Sequence, residues 1–328
     1  MSRRALITGI GGQDGSLLAE LLLAKGYEVF GVVRPSAVEP YPNLDDIRDR
    51  IQLLRADLLD HVSLTEALRE AEPDEVYNLA APSFVPTSWL EPVLTAQFAA
   101  VGATALLESV RLTVPSARVY QAASSEIFGE PLEAPQNEST PVMPLTPYGA
   151  AKAYSYFVAR SYRRRYDLFA CAGILYNHES PRRPLEFLPR KVANGAARIA
   201  AGLQDTLLLG DLDARRDWGY AGDYVEAMWL MQQKHEADDY VIATGVTHSV
   251  RDLVECAFSH VGLDWRDHVQ VDESLRRGRA QLHNLVGDAS KARERLGWEP
   301  RVDFTSLVHR LVDADVAQLT LKPTRTES

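Results

Sequence analysis

The residues that most restrict this chain lie within its first sixteen. Ala5-Leu-Ile-Thr8 is a short apolar run, and Gly9, Gly12 and Gly15 follow it at three-residue spacing, ahead of a helical pattern. Without side chains there, the backbone can turn tightly and approach a pyrophosphate, which then lies at the positive end of the helix. A glycine triplet alone says little. Placed between a first strand and a first helix, it specifies a dinucleotide-binding βαβ unit.

The next 160 residues keep that rhythm. Ala5–Thr8, Glu28–Val33, Ile51–Arg55, Glu75–Leu79, Arg118–Gln121 and Phe169–Ile174 are nearly continuous apolar runs. Such runs suit strands buried on both faces of a parallel sheet. Ser16–Lys25, Ser63–Ala71, Thr95–Leu112 and Tyr148–Arg165 read as helices between them. The expected fold is therefore α/β: a Rossmann-type doubly wound parallel sheet with a smaller C-terminal α/β substrate-binding portion. Residues 1–175 form the expected dinucleotide-binding domain. Residues 176–328 are mainly the substrate-binding domain, with some segments returning to the main sheet. There, Lys191–Ala201 and Asp223–Lys234 read as helices, and Thr206–Leu209 and Asp239–Ala243 as strands. The last ten residues, rich in Thr, Lys and Ser, are expected to fray.

Bulk properties exclude several classes. The formal net charge of -10 argues against nucleic acid as a partner. No apolar run reaches the roughly 18 residues that span a bilayer, so no membrane association is expected. The chain turns at once into a strand, so no signal peptide is expected. Cys171 and Cys256 are far apart with no metal-ligand spacing; no metal site is expected, and reduced thiols fit a cytoplasmic location.

Strand two ends in Gly31-Val-Val-Arg34, a cation where a ribose 2′-phosphate would lie. This favours NADP, with NAD possible if Arg34 is a solvated turn residue. Asp57, after strand three, could accept from an adenine amino group or serve as a turn residue. Further on, Pro147-Tyr-Gly-Ala-Ala-Lys152 puts Tyr148 and Lys152 one helical turn apart. The lysine ammonium is expected to lower the phenol's pKa, so that Tyr148 can take a proton from a carbinol while hydride leaves. Ser124, Ser125 and Glu126 follow strand five, at the sheet edge where open α/β folds bind ligands. Ser124 can bond the same carbinol oxygen, and Ser125 could act as an acid or a positioning group. A reductase or epimerase needs no strong base, whereas a carboxylate beside this set suggests proton abstraction next to a carbonyl.

These residues resemble the GDP-mannose 4,6-dehydratase family of extended short-chain dehydrogenases. The resemblance rests on Leu6 to Ser16, Tyr77-Asn-Leu-Ala-Ala81, Pro147-Tyr148 with Lys152, and above all Gly173-Ile-Leu-Tyr-Asn-His-Glu-Ser-Pro-Arg-Arg183. Arg216-Asp-Trp-Gly219, Asp239 to Gly245, Val286-Gly-Asp288 and Leu296-Gly-Trp298 add to it. It implies that Thr8, Gly9, Gly12, Gln13, Asp14, Gly15, Arg34, Asp57, Leu58, Leu79, Ala80, Ala81, Ser83, Tyr148, Lys152, His178 and Arg183 hold NADP. Ser124, Glu126 and Tyr148 would be catalytic. Ser88, Asn177, Lys191 and Arg216 would hold a nucleotide-sugar substrate, the last two near its diphosphate. The implied reaction is an internal redox dehydration of GDP-mannose to GDP-4-keto-6-deoxymannose. An epimerase or 4-ketoreductase of the same superfamily is the alternative. The long helices Thr95–Leu112 and Tyr148–Arg165 would build a homodimer or homotetramer.

Three departures from the family pattern stand out. Ser124 replaces a threonine and keeps the hydroxyl. Pro-Ser-Ala-Val follows Arg34, where the family has a second arginine and a serine-rich loop. Gln281 stands where a family glutamate would accept from guanine, and an amide both donates and accepts. Arg277 or Arg279 remain able to meet phosphates.

Overall fold

The computed structural model describes residues 2–35, 40–275 and 285–321. Seven parallel strands form the central sheet: β1 (Arg4–Thr8), β2 (Glu28–Val33), β3 (Ile51–Arg55), β4 (Glu75–Asn78), β5 (Arg118–Ala122), β6 (Ala170–Leu175) and β10 (Asp239–Ile242). Their order is β10-β6-β5-β4-β1-β2-β3. The chain reverses direction across the sheet between β1 and β4, which leaves a crevice at their carboxyl ends.

Two apolar layers flank the sheet. Leu18 and Leu22 of α1 (Gln13–Ala24) pack with Val225, Met228 and Met231 of α8 (Ala221–Gln232) on one face. Leu64 and Leu68 of α2 (His61–Ala71) meet Leu106, Leu107 and Val110 of α5 (Ala103–Thr113) on the other. The short α3 (Thr87–Leu90) precedes α4 (Pro92–Ala96). A π-turn, Gln97–Gly102, joins α4 to α5 as one helix. Gly102 lies where a Cβ would come within 2.9 Å of Leu58. By length and composition alone, this 22-residue helix is long and apolar enough to cross a membrane. Half of its most apolar window is nevertheless buried inside the protein, as in a packing helix of a globular fold. Beside it runs α6 (Pro147–Tyr166), whose Thr146 side chain caps Gly149 N–H and whose Pro147 sits at the tolerant first position.

Beyond β6 the chain builds a smaller lobe. β7 (Asn177–Glu179) pairs in parallel with β9 (Arg215–Tyr220), and β11 (Thr247–Ser249) pairs antiparallel to β9. A separate pair joins β8 (Leu207–Leu209) to β12 (Val269–Val271). Helices α7 (Leu188–Ala200), α9 (Val250–His260) and α11 (Phe304–Leu321) enclose a core of Val192, Leu253, Leu311 and Trp218. Arg190 and Asp315, both buried, pair across α7 and α11. Helix α8 and strand β10 return to the main sheet, where β10 pairs with β6, and α10 (Ser290–Leu296) packs on β10. Residues expected to fray belong to α11 as far as Leu321.

The glycine turn is the tightest point of this frame. Gly9 has a φ of +71°, and a Cβ on Gly15 would lie 2.3 Å from the Gly9 carbonyl oxygen and 2.6 Å from Ile10 Cα. Neither neighbour is the movable end of a side chain. Gly15→Ala is therefore expected to destabilise the protein by about 1–3 kcal/mol. Urea unfolding of the two proteins measures it.

Candidate active site

A polar chain crosses the carboxyl ends of the central strands. Thr8 Oγ1 donates to Asn78 Oδ1 (2.8 Å) and accepts from the Leu79 and Ala80 N–H groups, both at 3.2 Å. Asn78 Nδ2 donates to Gln121 Oε1 (2.8 Å), and Gln121 Nε2 to the Ala122 carbonyl (3.1 Å). Lys152 Nζ donates to that same carbonyl at 2.9 Å. Above this floor lies a cavity of about 1180 Å³, between the main sheet and the smaller lobe.

Its first wall is the glycine turn. Thr8, Gly9, Gly12, Gln13, Asp14, Gly15, Arg34, Leu58, Leu79, Ala80, Ala81 and Ser83 all line the cavity. Gly9 lies against the Leu79–Ala80 backbone, within 3.0 Å of where a Cβ would sit. The cradle left by Gly9 and Gly15 and the open first turn of α1 fit a dinucleotide pyrophosphate. The Arg34 guanidinium is 5.8 Å from the centre of the Phe98 ring, at the end of β2. Asp57 stands between Ala56 and Leu58, both of which line the cavity. It does not line the cavity, and its Oδ1 accepts from Leu59 N–H at 2.9 Å, as in a turn before α2. Tyr41 was not foreseen: its ring lies against Gly11, and Asn43 Nδ2 donates to the Gly11 carbonyl at 3.0 Å.

The second wall carries Ser124, Ser125, Glu126, Tyr148 and Lys152 together. Ser124 Oγ accepts from Glu126 N–H and caps a short turn, Ser125–Ile127. Gly149 brings this turn against α6, since a Cβ there would lie 2.5 Å from the Glu126 carbonyl oxygen. Sequence reasoning passed over Gly149 because the requirement comes from a contact 23 residues away. The electrostatics also differ from expectation. Burial pushes the Tyr148 phenol up to about 12, opposed by a hydrogen bond with Ser124. Burial pushes the Lys152 ammonium down to about 8. In the protein alone, desolvation outweighs the Ser124 hydrogen bond and the Arg183 charge that favour the phenolate.

The third wall comes from the smaller lobe. Asn177, His178, Arg183, Lys191 and Arg216 line it. Lys191 Nζ donates to the Leu208 carbonyl at 2.7 Å, and Arg216 NH1 to the Arg215 carbonyl at 2.6 Å. Arg183 lies 3.6 Å from the Phe187 ring centre, and Phe187 meets Phe84 edge-on at 5.2 Å, across from the main sheet. Nothing in the sequence pattern marked either phenylalanine. Ser88 is not part of the lining: it is buried, and its hydroxyl donates to the Val85 carbonyl at 2.7 Å. Arg277, Arg279 and Gln281 lie outside the described residues.

A sequence profile described as GDP-mannose 4,6 dehydratase matches residues 6–311. GDP-mannose 4,6 dehydratase 2 of Arabidopsis thaliana is 49% identical over 324 residues, covering 95% of this chain and 86% of the relative. The chain belongs to the GDP-mannose 4,6-dehydratase family. The Homo sapiens enzyme of this family is 44% identical, with 97% of this chain and 93% of the relative covered. Among solved structures, a dTDP-glucose 4,6-dehydratase from Streptomyces venezuelae, with NAD bound, superposes with a TM-score of 0.85. It is 26% identical and covers 98% of this chain and 99% of its own.

The buried lysine carries a stability cost that the fold tolerates. An ammonium whose pKa is depressed from 10.5 to about 8 opposes folding fully below pH 8, and the opposition fades as pH rises towards 10.5. Replacing it by methionine loses one hydrogen bond but removes that desolvation. Lys152→Met is expected to be more stable at pH 7 by on the order of 2 kcal/mol, with the gain vanishing above pH 10.5. Denaturant unfolding at the two pH values tests the sign.

Proposed function

We infer that this protein is a nucleotide-sugar 4,6-dehydratase that converts GDP-mannose to GDP-4-keto-6-deoxymannose through bound NADP. The observation that carries the reading is a carboxylate, Glu126, lining the same cavity as Ser124, Tyr148 and the buried Lys152. Thr8, the glycine turn, Leu58, Leu79 to Ala81, Ser83 and Arg183 would hold the cofactor, with Arg34 at its 2′-phosphate. Asn177, Lys191 and Arg216 would hold the substrate, the two cations at its diphosphate. Asp57 would accept from the adenine amino group and Ser88 would meet the substrate, each alongside a local bond, from Leu59 N–H and to the Val85 carbonyl.

Tyr148 removes the proton of the C4 hydroxyl, while Ser124 hydrogen-bonds the same oxygen. Lys152 stabilises the resulting phenolate from one helical turn away. The C4 ketone acidifies the neighbouring C5–H, and Glu126 takes that proton and passes it to the C6 hydroxyl, which leaves as water. Ser125, buried beside Glu126, positions the departing oxygen. The chemistry supplied by NADP, when bound, is uptake of hydride from C4 and its return at C6. Tyr148 then gives to C5 the proton it took from the C4 hydroxyl, which leaves both Tyr148 and Glu126 ready to act as bases in another cycle.

Incubation with GDP-mannose, with product mass and cofactor absorbance followed, tests this. The expected product has lost one water, with no net consumption of NADPH. Tyr148→Phe is expected to slow turnover by about 10²–10⁴-fold. Glu126→Gln is expected to keep hydride uptake, seen as reduced-cofactor absorbance, while losing the mass change. An unchanged mass, or stoichiometric use of NADPH, would identify an epimerase or 4-ketoreductase instead.

The protein is also proposed to form a homodimer, or a homotetramer built from it. Val93, Val101 and Leu112 on the Pro92–Thr113 helix, and Tyr154, Phe157 and Tyr166 on α6, are exposed on neighbouring elements. Two copies of such a pair bury one another as a four-helix bundle. Phe157→Asp is expected to shift the species seen in analytical ultracentrifugation to the monomer. The free thiols Cys171 and Cys256 support a cytoplasmic location.

A further inference from the structure

His178 lines the cavity wall where the smaller lobe meets the glycine turn. Its Nδ1 lies 2.7 Å from the Tyr176 carbonyl oxygen, and its Nε2 lies 2.8 Å from Asp14 Oδ2. A carbonyl and a carboxylate both accept. A neutral imidazole has only one N–H to give, so two contacts of this length need one proton more. The shared proton can rest on the ring or on Asp14. Two observations place it on the ring. Gln13 Nε2 already donates to Asp14 Oδ1 at 2.9 Å, a bond that favours the ionised carboxylate. The orientation of that amide is itself determined, because Nε2 also donates to the His178 carbonyl at 3.1 Å and Oε1 accepts from Ser180 Oγ at 2.9 Å. The imidazole also stacks on the Tyr224 ring, centroids 4.7 Å apart, a face that suits a cation.

We propose that His178 is carried as an imidazolium, and that Asp14 is the positioning residue that keeps it charged and so clamps the glycine-turn helix to the strand bearing Asn177. The charged groups facing the pair come from each element packed against it. Asp14 is on α1, Glu179 on β7 and Arg183 just beyond β7; Tyr148 and Lys152 face it from α6 and Tyr224 from α8. Burial opposes the charge on both groups, and Arg183 also opposes that of the ring; the mutual attraction of His178 and Asp14 outweighs them, so the His178 pKa is raised and the Asp14 carboxyl is held down at about 2. Both ring nitrogens are engaged with the protein. His178 therefore acts on a bound ligand through charge and position rather than by donating from the ring. This rests on the cavity being the dinucleotide site, but the protonation state does not depend on which substrate is turned over.

The sign with pH follows from the geometry. Because the His178 pKa is raised, its contribution to stability is complete below its ordinary value of 6.5 and is lost as pH climbs through the folded value. Asp14, being depressed, loses its contribution only as pH falls from its ordinary 3.8 towards about 2. The clamp is thus intact between those limits. Above it, two acceptors face a single N–H and one contact opens.

The test is ring-nitrogen NMR of protein labelled in its eight histidines, with His178 assigned by its absence in His178→Gln. The expected result is a wild-type ring still doubly protonated at pH 7.5. In Asp14→Asn the ring should titrate at lower pH, and NADP should bind about tenfold more weakly by calorimetry. Single-turnover hydride transfer at saturating NADP should change far less, and Asp14→Glu should restore part of the affinity. A neutral His178 at pH 7.5 in the wild type overturns the proposal, whether or not the variants fold. An unchanged His178 titration in folded Asp14→Asn overturns the role of Asp14. Absence of turnover with GDP-mannose, alongside a protonated His178, counts against the proposed reaction and leaves the clamp standing.

Discussion

Thr8, Asn78, Gln121 and Lys152 are joined side chain to side chain, or through one carbonyl, across three strand ends and a helix. The rest of the site hangs from that chain. The Thr8, Asn78 and Gln121 side chains are buried, and a buried polar group without its partner costs about 1–3 kcal/mol, so these three hold or fail together, and Lys152 joins them through the Ala122 carbonyl. They set the height of the Leu79–Ala80 backbone against Gly9 and the reach of Lys152 from α6. A shift of β4 relative to β5 would misplace both the glycine cradle and the lysine at once.

The cavity wall opposite is held by charge rather than by apolar packing. The segment from Asn177 to Arg182 is tied to α1 through Asp14, Gln13, Ser16 and Glu20. Away from the cleft, the two halves have separate apolar cores. Contacts of this kind are directional and sensitive to pH, whereas the cores are neither. The arrangement concentrates responsiveness at the cleft and leaves the scaffold indifferent to it. The buried Lys152 follows the same logic, since it weakens the isolated fold in return for a cation beside Tyr148.

Much of this was legible in the chain because it is local. The glycine spacing, the apolar strands, and the pairing of Tyr148 with Lys152 all lie within one or two turns of sequence, and every main-sheet strand was anticipated within a residue or so. Elements that depend on distant partners were not. β7, β11 and β12 are short, β9 begins with Arg215, Arg216 and Asp217 rather than an apolar run, and each is stabilised by pairing with a remote segment. Asp57 and Ser88 also satisfy a backbone N–H and a carbonyl nearby, local bonds that the sequence does not display. Tyr41, Phe84, Phe187 and Gly149 enter through close approaches across the fold. The Tyr148 phenol was misjudged because burial, which sequence does not display, outweighs a neighbouring charge.

The smaller lobe is not a continuous stretch of chain. It takes in β7 to β9, leaves for α8 and β10 on the main sheet, returns with β11 to β12, and closes with α11 after α10 has packed on β10. Such a lobe cannot be exchanged between proteins as a single cassette, because any one cut would sever a strand or helix of the scaffold. Recombination is therefore a poor route to new specificity here. A lineage of this fold must explore substrates by replacing lining residues one at a time, while the crossings between halves keep the frame constant.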